Sequence, residues 1–440
     1  MNLHIIHTND IHSHLHNYKK QENYIADKRK EYGHRMIYVD VGDHVDRAHP
    51  YTEATLGKGN VEILNEAGCD VATIGNNEGI TLPKEDLIHL YDNANFDVIC
   101  VNLRDAETEE LIFEPYIIKE IDGVKIGFIA ATVEFTPFYL AEGFLVEGVF
   151  DYLRYYLIEL ERETDAIVVL SHLGKYDEER IAESFPCVDV VLGAHTHHHY
   201  MNGHKVNGKL ISAAGRYGEY IGHVFLEFDA NNTLIEKKAE LIETDMLVDV
   251  EENYYQIGKE KLIKTEIKHD VAPIGRSLNV ISQFTYAFMQ MLKVYTDTDV
   301  VLIHAGLVAD HFDGGTLTQF DLHRILPHSI NAVKVEISGR ELKEIYTMAN
   351  QHEFRDTIMN GLGFRGDVFG IFLMDGLATI ESERKYLIEG KPVKDRETYT
   401  IGTLDMYTFG RIFPQFKNAK KEYMMPDFLR DIVIKHKEML

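Results

Sequence analysis

Cysteine is scarce. The chain's 440 residues hold three, Cys69, Cys100 and Cys187, odd in number and scattered. Such a set makes no disulfide framework, and free thiols fit a reducing compartment. Basic residues are also short, 45 Lys and Arg against 71 Asp and Glu, giving a formal net charge of −26 at pH 7. No basic run offsets that balance. Nucleic acid and anionic membranes are therefore not expected as partners, because the long-range electrostatic term is repulsive. No apolar run approaches the roughly 20 residues of a membrane span. The chain passes from Met1 directly into an apolar strand, with neither the positive n-region nor the apolar h-region of a secretory signal. A cytoplasmic address is the expectation. Internal repeats and low-complexity tracts are missing too.

What is present is a long chain, 45% hydrophobic, with length for two or three domains. Short apolar strands alternate with helical stretches through the first half. Residues 3–6, 36–41, 71–74, 98–101, 124–130, 166–170 and 188–192 read as strands. That alternation is an α/β layered pattern. A hairpin over 224–242, turning at Asn231-Asn232, closes the first domain. The charged stretch from Asp249 to Lys268 has too few apolar residues for a core and reads as a connecting helix. The expected division is 1–245, a connecting helix over 246–270, and a second domain over 271–440.

Histidine is plentiful at 23, so only its spacing and position carry weight. Five polar motifs follow five strand candidates: Asn9–His14 in HTNDIHSH, Gly42-Asp43, Gly75–Glu78 in GNNE, Ser171–Gly174 in SHLG, and Gly193–His197 in GAHTH. In open α/β sheets, sites lie outside the carboxyl ends of strands. A core histidine would sit mid-strand instead. The inventory of Asp10, His12, Asp43, Asn76, His172, His195 and His197 suffices for two divalent metals sharing one carboxylate. We assign Asp10, His12 and His197 to one ion and Asn76, His172 and His195 to the other, with Asp43 bridging. Oxygen and nitrogen ligands without thiolate admit Zn, Mn, Fe, Co or Ni. Paired ions about 3.5–4 Å apart activate water and stabilise in-line displacement at phosphorus.

The order D-x-H, G-D, G-N-x-E, S-H-x-G, G-x-H-T-H resembles the calcineurin-like metallophosphoesterase superfamily. Within it the chain most resembles the bifunctional UDP-sugar hydrolase/5′-nucleotidase family, whose opening is TNDIHSH. TDVVLIHAGLVAD and VKVEISGRELKEI in the second half are similar to that family's C-terminal domain. The resemblance implies a four-layered α/β metallophosphoesterase sandwich, then a smaller α+β 5′-nucleotidase-type domain. It implies hydrolysis of nucleotides or related small phosphate esters by in-line attack of a metal-bound hydroxide.

The pattern breaks in two places. The family's GNHE reads GNNE here, so Asn77 takes the catalytic His position and Ile80 that of its supporting Asp. An amide donates a hydrogen bond but carries no titrating proton. In the second half, His304 and Val308 stand where the family has Asn and a phosphate-binding Arg. Phe364 with Phe409 or Phe413 are candidates for the family's base-stacking pair, core packing being their other reading. Arg365 is a candidate anion contact. His14 is a candidate phosphate contact near the metals. His44, His198, His199 and Arg216 each have a surface or wall reading beside a functional one. Two alternatives stay open: a metal-containing binding protein with little turnover, and a phosphodiesterase for a non-nucleotide substrate.

Overall fold

The computed structural model describes residues 1–351, 355, 358, 361–380 and 385–440. The chain divides into two units, Met1–Gly258 and Lys259–Leu440.

The first unit is built on two six-stranded sheets. One begins with β1 (Asn2–Thr8), β2 (Met36–Asp40), β3 (Val71–Ala72) and β4 (Asp97–Val98), parallel neighbours in that order. The other holds β5 (Tyr116–Ile121), β6 (Val124–Thr132), β7 (Ala166–His172), β8 (Val190–Gly193), β9 (His204–Val206) and β10 (Lys209–Ala213), in the order β9-β10-β8-β7-β6-β5. The chain then returns through the antiparallel pair β11 (Tyr220–Phe228) and β12 (Leu234–Glu243), which extends the first sheet beside β1.

Period-two alternation explains the layering. On β1, Leu3 and Ile5 face the second sheet, where Val168, Leu170, Val190 and Leu192 meet them. Ile6 faces outward, toward helix α1 (Leu15–Tyr32), which buries Leu15, Tyr18 and Ile25. On β7 the partition repeats. Ile167 and Val169 face outward onto α2 (Val149–Glu163), which offers Leu153, Leu157 and Leu160. The result is helix, sheet, sheet, helix, the four layers expected. The parallel strands β1, β2, β3, β7 and β8 all carry polar motifs at their carboxyl ends.

The connecting helix is shorter than the sequence suggests. It spans only Tyr254–Leu262, and the boundary between units falls inside it. Residues expected to continue it form β13 (Glu266–Val271) instead, paired antiparallel with β14 (Gly315–Thr318). The charged composition permitted a helix, but pairing with a strand far along the chain overrode it.

The second unit has a five-stranded mixed sheet. Its strands, in spatial order, are Phe372–Asp375, Val300–His304, Thr398–Leu404, Asn331–Ser338 and Lys420–Phe428. Helices Gln283–Thr296 and Gly339–Ala349 pack on it. The second starts at a capping box, Ser338 with Glu341, legible in SGRE.

Candidate metal centre

Five expected ligands hold a left-handed backbone: Asp10 (φ +50°), His12 (+48°), Asp43 (+52°), His195 (+71°) and His197 (+56°). Positive φ is uncommon outside glycine and clusters where function requires it. Each follows a strand end, so the kink stops the strand. The loops after β1 and β2 are bonded to each other, Asp10 N–H to the Gly42 carbonyl at 3.0 Å and His12 N–H to that of Asp43 at 2.8 Å. Gly75 is required at its position: a Cβ there would collide with the Asp43 carboxylate and the His172 ring.

Two overlapping groups converge, Asp10–His12–His197 and Asp10–Asp43–His172. His12 Nε2 is 3.2 Å from His197 Nε2, and Asp10 Oδ1 lies 3.5 Å from His197 and 3.8 Å from His12. Asp43 Oδ2 lies 3.6 Å from His12 Nε2 and 3.4 Å from His172 Nε2, between the two groups. His195 reaches Asn76 Oδ1 through Nδ1 at 2.9 Å, and its N–H donates to the Asp10 carboxylate at 3.0 Å.

The donor set fits divalent ions. His172 Nδ1 is 2.8 Å from the Val41 carbonyl, which fixes that nitrogen as the N–H. Its Nε2 is buried, has no hydrogen-bond partner among the described residues, and faces Asp43. This is how a ligating imidazole is commonly oriented, one nitrogen tied to a carbonyl and the other held open. Charge is tuned accordingly. Burial alone would lower the His172 pKa, but the Asp43 and Asp10 carboxylates push it up to about 10. Burial would raise Asp43 and Asp10, but the neighbouring histidines hold both below the usual carboxylate range. His195 is lowered to about 4 by burial and by His172 beside it, so its ring stays neutral and able to ligate. Divalent ions would supply here the positive charge that this carboxylate pair draws from protons.

Around these residues, Glu78 accepts the N–H groups of Asp43, Val45 and Gly75 at 2.8–2.9 Å. Asn77 is buried and turned onto Asp43 and His12. His44 is buried against Tyr18, with Nδ1 3.2 Å from Asn60, and so belongs to the wall. His14 is exposed and stacks on Tyr217. His198 lies against Glu178, and His199 stacks on Tyr220.

In the second unit, Phe364 is buried, stacked on His328 at 5.0 Å and edge-on to His304. The Arg365 N–H donates to His328 Nδ1 at 3.0 Å. Phe413 is fully buried among Phe372, Tyr407 and Phe416, which is the core-packing reading, and as placed it offers no face to a ligand. Phe409 is 38% exposed.

Two residues escaped the sequence reading. Asp46 is buried with Oδ2 3.7 Å from His12 Nδ1, the nitrogen turned away from the cluster. Its signal was its place in GDHVD, three residues after Asp43. Tyr217 sits with φ +59° and its ring 5.6 Å from that of His12. The glycines on either side of Arg216-Tyr217 hinted at a tight loop.

Residues 3–199 match the family model for calcineurin-like phosphoesterases, and residues 275–417 that for the 5′-nucleotidase C-terminal domain. The chain is 36% identical to the uncharacterized metallophosphoesterase YunD of Bacillus subtilis (strain 168), covering 98% of each. The Haemophilus influenzae NAD nucleotidase superposes with a TM-score of 0.69 at 16% identity, covering 100% of this chain and 96% of that one. The 5′-nucleotidase precursor of Thermus thermophilus gives 0.59 at 17%, covering 99% and 96%. At such identities these two likenesses are of fold alone.

Proposed function

The chain belongs to the calcineurin-like metallophosphoesterase family, with a 5′-nucleotidase-type C-terminal domain, and we propose that it hydrolyses nucleotides or related small phosphate esters at two divalent ions. Asp10, His12 and His197 would hold one, Asn76, His172 and His195 the other. Asp43 is the bridge in this reading because its Oδ2 lies almost evenly between the two sides, whereas Asp10 lies nearer the first. The observation that carries it is His172: a fully buried imidazole nitrogen with no hydrogen-bond partner among the described residues, aimed at that bridge.

Bound ions would supply a reactive water and clamp the developing charge at phosphorus. The chain's own residues do the rest. Val41 fixes the tautomer of His172, Glu78 ties the loops after β2 and β3 together, and Asp46 steadies His12. Neutral Asn76 in one ligand set leaves net positive charge for an anionic substrate. Free thiols at Cys69, Cys100 and Cys187 support a cytoplasmic setting. Among the described residues, no helix is long and apolar enough to cross a membrane.

The second reading, a metal-holding protein with little turnover, is favoured by one observation. Asn77 commits its amide to Asp43 and presents no acid to a leaving group. Assay of manganese-loaded protein against 4-nitrophenyl phosphate separates the two. A panel of phosphomonoesters, cyclic nucleotides and nucleotide sugars then defines the substrate. Absence of turnover on every ester with metal bound would leave the binding reading.

A further inference from the structure

The loop between β10 and β11 is pinned to the N-terminal motif and to α1. Asn9 donates from Nδ2 to the Gly215 carbonyl and accepts the Ala214 N–H on Oδ1, both at 2.9 Å. The Tyr217 N–H donates to the Asp10 carbonyl at 2.7 Å. Asn17 donates to the Tyr217 carbonyl at 2.9 Å, and Gln21 to those of Gly218 and Tyr220 at 3.0 and 2.9 Å. Gly215, Tyr217 and Gly218 all have positive φ. Glycine adopts that readily; a tyrosine does so only where its surroundings dictate it, and such residues gather at functional sites.

What the loop holds is a stack. The His14 ring lies on Tyr217, centroids 4.0 Å apart and 24° from parallel. The Arg216 guanidinium lies over the same ring, 4.6 Å from its centroid. The Tyr217 ring also borders the metal histidines, 5.6 Å from His12 and 6.3 Å from His197. Arg216 has neither ion-pair nor hydrogen-bond partner for its guanidinium among the described residues, in a chain where acids outnumber bases 71 to 45. An arginine left without an ion-pair or hydrogen-bond partner there and set over a ring beside the cluster is placed for an anion from outside.

We propose that Arg216 binds the dianionic phosphate of a phosphomonoester and that Tyr217 positions it, so that the metal-bearing unit discriminates monoesters from diesters. This rests on the hydrolase reading above. A guanidinium fork matches two terminal phosphate oxygens, and a diester has one fewer oxygen and one less charge to offer it. Stacking on Tyr217 fixes the fork beforehand, so less freedom is lost on binding.

The test uses full-length, manganese-loaded protein and the variants R216Q, R216K, Y217L and Y217F, with metal content and melting temperature as controls. Two quantities are read: the inhibition constant of inorganic phosphate, and the kcat/KM ratio for 4-nitrophenyl phosphate over bis(4-nitrophenyl) phosphate. R216Q should weaken phosphate inhibition and lower the ratio, each by about tenfold or more, the loss expected when a charge-assisted fork is removed. R216K should recover only part, because the charge returns without the fork. Y217L should fall in the same direction, and Y217F, which keeps the ring, should regain most of that loss. If the native protein turns over neither ester, the hydrolase reading fails, and calorimetric binding of phosphate decides this proposal alone. Loss of that binding in R216Q supports it. Phosphate held equally by native and R216Q protein or by neither, or a ratio that does not move, overturns it and leaves Arg216 a prop for Tyr217.

Discussion

Asn77 grips both oxygens of Asp43, its backbone N–H donating to Oδ1 at 2.7 Å and its amide Nδ2 to Oδ2 at 2.8 Å. The same Nδ2 is 2.9 Å from His12 Nδ1. The Asn77 side chain is thus spent on holding Asp43, with no proton to give a departing group.

Activity should therefore depend on leaving groups that depart unaided. Nitrophenolate does, and a ribose alkoxide does not. Rates on aryl esters should exceed those on alkyl esters by a factor on the order of the 10²–10⁴ that general acids supply. Asn77 and Ile80 share one face of the helix Asn76–Thr81, so Asn77→His with Ile80→Asp can rebuild a supported imidazole. The pair should speed alkyl esters selectively. A shallow dependence on leaving-group pKa in the native protein, unmoved by the double substitution, would place an acid elsewhere.

Asp46→Asn should weaken metal binding about 10–100-fold, the usual loss when a partner that orients a ligating histidine is changed. Competition with a chromogenic chelator measures it. His12→Ala should lose one ion without further loss when combined with Asp46→Asn, since Asp46 acts through His12. Equal chelator curves for native and Asp46→Asn protein would reduce Asp46 to a loop brace.

Buried histidines away from the cluster give a pH signature. Burial holds His7 and His328 down to about 3, and His304 well below its usual value. Unfolded imidazole protonates near 6.5, so between about pH 6.5 and 3 the unfolded chain binds more protons. Stability from these groups is whole above about pH 6.5 and lost as pH falls, at about 1.4 kcal/mol per pH unit per group. Asp40, raised by burial to about 8, works in the opposite sense, so the test is a difference. His328→Gln keeps a donor for the Leu307 carbonyl and an acceptor for the Arg365 N–H. Between about pH 7.5 and 5.5, a window spanning the unfolded imidazole pKa, it should lose less stability in denaturant than the native chain. Parallel losses would mean His328 is protonated when folded.

The convergence of Asp10, His12, Asp43, His172 and His197 was legible because these residues sit at strand ends, where local pattern fixes position: β1, β2, β3, β7 and β8 each end where an apolar run meets a glycine or a polar motif. The four layers followed from alternation on strands such as β1, with Leu3 and Ile5 on one face and Ile6 on the other. What escaped depends on contacts between distant segments. Glu266–Val271 became a strand because Gly315–Thr318 pairs with it. Tyr217 reaches the site because Asn9, Asn17 and Gln21 draw its loop onto the first strand's end. Phe413 was indistinguishable from Phe409 in TFGRIF, yet one is core and the other exposed.

Metal stoichiometry tests most directly whether two ions share Asp43. Protein reconstituted with manganese, freed of excess and measured by elemental analysis should hold two ions per chain. Asp43→Asn should lower both, because Oδ2 lies between the groups, whereas His12→Ala should mainly empty one. A native protein that binds a single ion, or an Asp43→Asn variant that still holds two, would contradict the account.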